Sequence, residues 1–436
     1  MLTARFFKTI FGILTLTGSL LLAACGDNTV APSPSPTTPP ATTSVSTTAA
    51  ATTAPATTSA ATPTGAATTT PATIPATTPT VASTTAAATP ASATTPAGQS
   101  GSGKAAELLA NIPNSPEYLK ILSYTNYAAF RKLNNLPDGG TFQTLSRDKE
   151  AFARFMSGSR YLNPSSLMAV NYFQTLRDMA GFDLLQADYD AEAGEPPKLI
   201  SLAQGNFDAA AIDKAWTAGG AVKGTVGPNT SYTIEKIDFD KELQHIYLGN
   251  LALIPVPSQK LLVYGKPPAA ATAVASALPA KTPVTNNPAV KGLLDVFGDP
   301  VSLYMGSSLI GSGINIPLDV SPGAAKDALE ATIKATKPVP VPLMGGYAFY
   351  QDAAGAKTYL VANYYTDPAS AKAAQPVLLD RLKNGVSSRS RNPYSQYWEV
   401  ASSEVVGNVV TFKLNWKQAN GLAQFVLTRD FPAFLT

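Results

Sequence analysis

Five acidic residues, Asp183, Asp188, Asp190, Glu192 and Glu195, crowd one short stretch of the chain. The alternation Asp188-x-Asp190-x-Glu192 matches the start of a calcium loop, because Ca²⁺ takes several hard oxygen ligands. Such a loop needs glycine at position 6 and a bidentate glutamate at position 12. Here Gly194 stands at position 7 and Leu199 at position 12, so the spacing predicts a solvated acidic turn and no metal. Ser146-Arg-Asp-Lys149 fits S-x-x-K, in which the lysine deprotonates the serine, but neither S-D-N nor K-T-G accompanies it, and the segment reads as the start of a surface helix. His245 is the sole histidine. It has the chemistry of a general base, but no G-x-S-x-G nucleophile accompanies it, which favours a structural role in a strand. Gly98-Gln-Ser-Gly-Ser-Gly-Lys104 has P-loop spacing, yet Ala105 stands where the magnesium-binding hydroxyl belongs and no strand precedes it, so no nucleotide site is expected.

Tyr394, Tyr397, Trp398 and Trp416, with Arg389 and Arg391 nearby, are candidates for a sugar- or peptide-binding surface. The competing reading of the same residues is strand-face and core packing beside a solvated basic loop. A single cysteine, Cys25, excludes an internal disulfide framework and any multi-cysteine metal centre. No catalytic residue and no cofactor is expected.

The elements that must position these residues begin after residue 103. From Ala31 to Ser100, 64 of 70 residues are Thr, Ala, Pro or Ser, and none is charged. That composition cannot bury a core, which predicts a disordered, semi-stiff spacer over 25–103. Its reach lies between about 50 Å as a coil and about 240 Å drawn out. The remaining residues carry 30 basic and 28 acidic side chains with no basic stripe, so a nucleic-acid partner is not expected.

Apolar periodicity and punctuation predict an α+β fold with mixed or antiparallel sheets. Helices are expected near 126–136, 148–156, 165–179, 208–218, 269–278, 289–296, 321–335 and 367–383. Strands are expected near 118–124, 182–189, 198–204, 231–239, 245–254, 260–264, 301–310, 347–351, 357–365, 397–405 and 408–416, with a closing strand at 422–429. The order strand–helix–strand occurs twice, at 199–239 and at 359–405, which suggests two ferredoxin-like or related subdomains. The Pro/Thr/Asn-rich stretch 279–288 divides the folded part into 104–280 and 281–436.

Arg5 and Lys8, an apolar run over 9–22, small residues and then Cys25 have the layout of a secretory signal. The run is too short for a bilayer span of about 20 residues. Leu22-Ala23-Ala24-Cys25 resembles the lipobox of bacterial prolipoproteins, a resemblance confined to residues 1–26. It implies cleavage between Ala24 and Cys25 after a signal peptide of 1–24. It also implies a diacylglyceryl thioether on Cys25 that anchors the chain to the extracytoplasmic face of a membrane. Ile121-Leu-Ser-Tyr-Thr-Asn-Tyr-Ala-Ala-Phe130 and Leu202-Ala-Gln-Gly-Asn-Phe-Asp208 resemble segments of uncharacterised bacterial envelope proteins. That similarity implies an extracytoplasmic role and adds no catalytic residue. The expectation is a lipid-anchored, non-enzymatic α+β domain that binds or organises a cell-wall or envelope component. A solute-binding lipoprotein of a transporter and an envelope hydrolase are the alternatives.

Overall fold

The computed structural model describes residues 103–165, 178–237, 248–311, 339–387 and 389–435. Outside them lie Ala24 and Cys25, the signal and spacer segments, His245, the helix expected at 321–335 and most of that at 165–179.

Among the described residues twelve strands form one antiparallel sheet. In chain order they are β1 (Leu122–Asn126), β2 (Ala187–Glu195), β3 (Lys198–Gly205), β4 (Val222–Val226), β5 (Asn229–Ile234), β6 (Leu251–Val256), β7 (Leu261–Lys266), β8 (Ser302–Gly306), β9 (Met344–Gln351), β10 (Lys357–Tyr364), β11 (Trp398–Val406) and β12 (Val409–Trp416). Their spatial order is β11-β12-β10-β9-β8-β1-β2-β3-β7-β6-β5-β4. The α+β class stands, and a strand–helix–strand order occurs twice, although the helix Ala209–Ala218 is followed by β4 and not directly by the strand expected over 231–239. The two halves, however, share a single sheet. The series β1-β2-β3-β7 and β8-β9-β10-β12 run outward in opposite directions from the central β1–β8 pair, where Tyr124 faces Leu303. Position 280 falls in a loop whose flanking strands are joined through that pair.

Helices cover both faces. On one lie α1 (Lys104–Leu109), α6 (Pro268–Ser276) and α7 (Pro288–Phe297), packed on Leu122, Tyr124, Ile200, Leu202, Val263 and Leu303. On the other lie α2 (Tyr127–Leu133), α3 (Phe142–Arg147), α4 (Lys149–Ser159), α5 (Ala209–Ala218), α8 (Pro368–Asn384) and α9 (Ala423–Leu427), with Phe130, Phe155, Trp216 and Leu378 in the core. Burial on both faces makes alternate residues of each strand belong to different cores.

The helix starts follow the local chemistry of their caps. Asn126, Asp148, Asp208, Asn287 and Asp367 each accept a hydrogen bond from a first-turn backbone N–H, satisfying a donor that the helix itself leaves unpaired. Two expectations need correcting. The closing strand at 422–429 is the short helix α9. Leu422, Phe425 and Val426 have helical spacing, and the Phe425 and Val426 N–H groups donate back to the Leu422 carbonyl. The segment 182–189 is a capped turn, Leu184–Gln186, leading into β2. The hairpin β4–β5, turning at Gly227 with φ +57°, was not expected at its first strand. Lys223 and Gly224 are exposed there, so no buried alternation marks it.

Candidate functional site

The acidic stretch is the centre of the sheet. Asp190-Ala191-Glu192-Ala193 is a period-two pattern, and β2 sends Ala191 and Ala193 into one core and Asp190 and Glu192 toward the opposite face. This overturns the solvated turn. Each acid now has its own environment. Asp183 caps the turn before β2, accepting from the N–H groups of Leu185 (2.9 Å) and Phe142 (2.7 Å). Asp188 accepts from the Arg131 guanidinium at 2.9 Å, and Arg131 also donates to the carbonyls of Leu185 and Ala187. Glu195 lies near the surface, 3.8 Å from Lys120 Nζ. Only Asp190 and Glu192 are left on the same face without a cationic partner in any described ion pair.

The strand register extends this pair into a polar seam. Glu192 stands opposite Ser123 on one side and Ser201 on the other. Ser201 faces Tyr264, and Ser123 faces Tyr304, which in turn faces Tyr347. One residue row away, Asp190 stands opposite Thr125, which faces Ser302. Ser123, Thr125, Ser201 and Ser302 are all buried. The chain leaving α4 crosses over this seam. Asn163 donates to the Tyr124 carbonyl and Thr125 Oγ1, and the Ser302 hydroxyl accepts from the Asn163 N–H at 2.8 Å. Ser165 Oγ then donates to Glu192 Oε1 at 2.7 Å, while Ser201 Oγ donates to Oε2 at 3.3 Å.

Asp190 is 8% exposed, and its Oδ1 has no hydrogen-bond partner. Burial, and then the like charge of Glu192, push its carboxyl well above the ordinary aspartate range. Burial also raises Glu192, against the pull of the two serine hydroxyls. The Tyr264 hydroxyl is raised by burial and by both carboxylates. Glu192, Tyr264 and Ser165 are only partly buried, so the seam is approached from solvent at that end. Among the described residues no three His, Cys, Asp or Glu side chains converge as a metal cluster.

The aromatic residues expected to line a binding surface are mostly core. Trp398 is 1% exposed, stacked on Tyr394 at 5.0 Å and on Trp416 at 5.7 Å, with Phe425 and Phe431 edge-on. Its Nε1–H donates to the Leu382 carbonyl. Tyr394 and Trp416 are buried as well, so three of the four rings present no surface. Tyr397 is half-buried, with its hydroxyl 2.7 Å from Ser390 Oγ and within reach of Asn392. Arg389 and Arg391 are exposed, and Arg389 Nε donates to the Thr428 carbonyl. Ser146 donates to the Gln143 carbonyl at the end of α3, and Lys149 opens α4, so the S-x-x-K residues sit on two successive surface helices. Lys104 opens α1 and pairs with Glu107.

The seam's other members, Ser123, Thr125, Ser165, Ser201, Tyr264 and Tyr304, were not expected as site residues. The strict alternation over 188–193, read as strand rather than loop, was the signal that placed the two acids. Their hydroxyl neighbours come from strands up to about 110 residues away in sequence, which no local pattern connects.

Two tyrosines in the adjoining core give a paired test. Tyr347 is fully buried with its hydroxyl unpartnered, whereas Tyr359 Oη donates to the Tyr161 carbonyl and accepts from the Leu422 N–H. Tyr347→Phe is expected to be neutral or to stabilise by up to about 1 kcal/mol. Tyr359→Phe is expected to cost about 1–3 kcal/mol, because it strands two buried backbone groups. Urea unfolding of the two variants checks the contrast; equal losses would contradict it.

No described helix is long and apolar enough to cross a membrane. No protein family matches the chain, and no curated protein or solved structure is similar to it.

Proposed function

We propose that the chain is a lipid-anchored extracytoplasmic protein. In this reading Cys25 carries the lipid, residues 25–103 are a tether, and the sheet domain binds or organises an envelope component without catalysis. The observation that carries this reading is the sole cysteine at the last position of Leu22-Ala23-Ala24-Cys25, followed by an uncharged Thr/Ala/Pro/Ser stretch. Small residues at 23 and 24 fit a narrow peptidase subsite, and a thiol is the nucleophile that takes the diacylglyceryl group. Two or more acyl chains anchor firmly, since each buried CH₂ contributes about 0.8 kcal/mol. One continuous antiparallel sheet, in place of two lobes around a cleft, supports a binding domain over a solute-binding protein of a transporter.

The test is labelling with a clickable fatty acid in a bacterial host. The native chain should take the label and partition with membranes. Cys25→Ser should lose the label and remain uncleaved at 24/25. A serine variant that stayed membrane-bound and was cut at the same site would overturn the reading.

A further inference from the structure

We propose that the seam around Asp190 and Glu192 is a binding site for one hard divalent cation of the calcium class. Asp190 supplies the observation that points to a ligand. It is an acidic side chain more than nine-tenths buried, on the same sheet face as Glu192, with Oδ1 unpartnered. A buried carboxylate with no donor loses its hydration without replacement, and an ion of opposite charge is one way to restore it.

The donor set selects the ion. Every polar side chain facing Asp190 and Glu192 across the strands offers oxygen: Ser123, Thr125 and Ser201 from the flanking strands, Ser165 from the crossing segment and Tyr264 from β7. No described nitrogen or sulfur ligand joins them, which disfavours zinc and copper. Two carboxylates match the charge of one divalent ion. Donors drawn from several strands and a crossover suit the variable coordination of Ca²⁺ better than the strict octahedron of Mg²⁺. Partial exposure of Glu192 and Tyr264 leaves a way in. On binding, the Ser165 and Ser201 hydroxyls, which now donate to Glu192, would turn their lone pairs to the ion. This gives a mechanical consequence, because Ser165 adds, through Glu192, a second tie between the chain after α4 and the sheet beside those of Asn163. An ion at that point would strengthen the attachment that Asn163 already makes between crossover and sheet.

The experiment uses the full chain stripped of metal with chelator, then titrated with CaCl₂ or MgCl₂ against NaCl of equal ionic strength. One Ca²⁺ should bind per chain by calorimetry, and a hundredfold excess over Kd should raise the thermal midpoint by about 5 °C. Asp190→Asn and Glu192→Gln should each abolish the calcium shift, while the surface variant Asp352→Asn should keep it. Terbium emission sensitised by the adjacent tyrosines and displaced by CaCl₂ gives a readout on the native chain that does not depend on any variant folding. The proposal is overturned if CaCl₂ moves neither the midpoint nor the terbium signal beyond the NaCl control, or if Asp190→Asn keeps the full calcium response. The first of these results would leave the seam as a buried carboxyl pair without an ion, and it would leave the lipid-anchor reading untouched.

Discussion

Trp398→Ala is expected to cost the domain about 3–5 kcal/mol, the range for truncating a large aromatic in a packed core. Trp398 opens the edge strand β11, yet its ring lies at the centre of a cluster. Tyr394 and Trp416 stack on it, and Phe425, Phe431 and Tyr397 close the sides. Those partners come from the turn before β11, from β12, from α9 and from the C-terminal segment, and the Nε1–H ties α8 through Leu382. One truncation therefore opens a cavity shared by five elements and leaves a buried carbonyl unpaired. Against a stability of about 5–15 kcal/mol typical of folded domains, that loss is a large fraction. Urea unfolding followed by tryptophan fluorescence measures it. Trp398→Phe, which keeps a ring but drops the donor, should cost less, about 1–3 kcal/mol. A Trp398→Ala loss below about 1 kcal/mol would show that the cluster is loosely packed. The same geometry decides which variant can probe a recognition surface here. Tyr397→Ala removes a half-exposed ring and its contacts to Ser390 and Asn392 at about 1–2 kcal/mol, whereas changes at Tyr394, Trp398 or Trp416 would lose binding through unfolding.

The contrast between these rings shows what local sequence carries and what it does not. Helix starts are local events. A side-chain oxygen reaches an N–H two or three residues on, and Asn126, Asp148, Asp208 and Asp367 could all be placed by that rule. The two late hairpins are similarly local, since Asp352-Ala-Ala-Gly355 and Gly407 turn the chain back on its own neighbour. The sheet's centre is not local. β1 pairs with β8 across about 180 residues, and only that pairing joins the two strand series into one sheet. Burial of Trp398 depends on α9 arriving from beyond β12, and Leu422–Leu427 carries the same apolar content whether drawn as strand or helix. The acids of β2 misled for a related reason. Acidic residues are poor strand formers, and their composition favours a turn until the strands that flank them are known.

Acidifying the metal-free protein from neutral pH toward pH 4 is expected to bring a stabilising contribution from Asp190 and Glu192, set against the usual acid loss from carboxyls held low, such as Asp213 and Asp367. In the folded chain burial holds the Asp190 carboxyl well above its ordinary range, and Glu192 is raised as well. The unfolded chain would titrate both groups near 4. Between those limits the folded state binds more protons than the unfolded state, so stability falls as pH rises through the folded values and is fully present below the unfolded ones. Each unit of separation contributes about 1.4 kcal/mol. The titratable groups facing the pair among the described residues are Tyr264 and Tyr304, whose hydroxyls are raised by burial and by the acids, stay neutral throughout this range and supply no cation. Asp190→Asn removes the larger of the two contributions. In chelator at pH 8 it should therefore melt above the native chain, and the difference should shrink as pH approaches 4.5. With saturating CaCl₂ at pH 8 the order should reverse, because the native chain gains the ion and the asparagine variant does not. Thermal melts of the two proteins across pH, with and without CaCl₂, measure both effects. A native chain that loses stability steadily from pH 7 to 5 in chelator, while Asp190→Asn follows the same curve, would mean that the Asp190 carboxyl is solvated and ionised. The buried seam would then not be the source of any pH response.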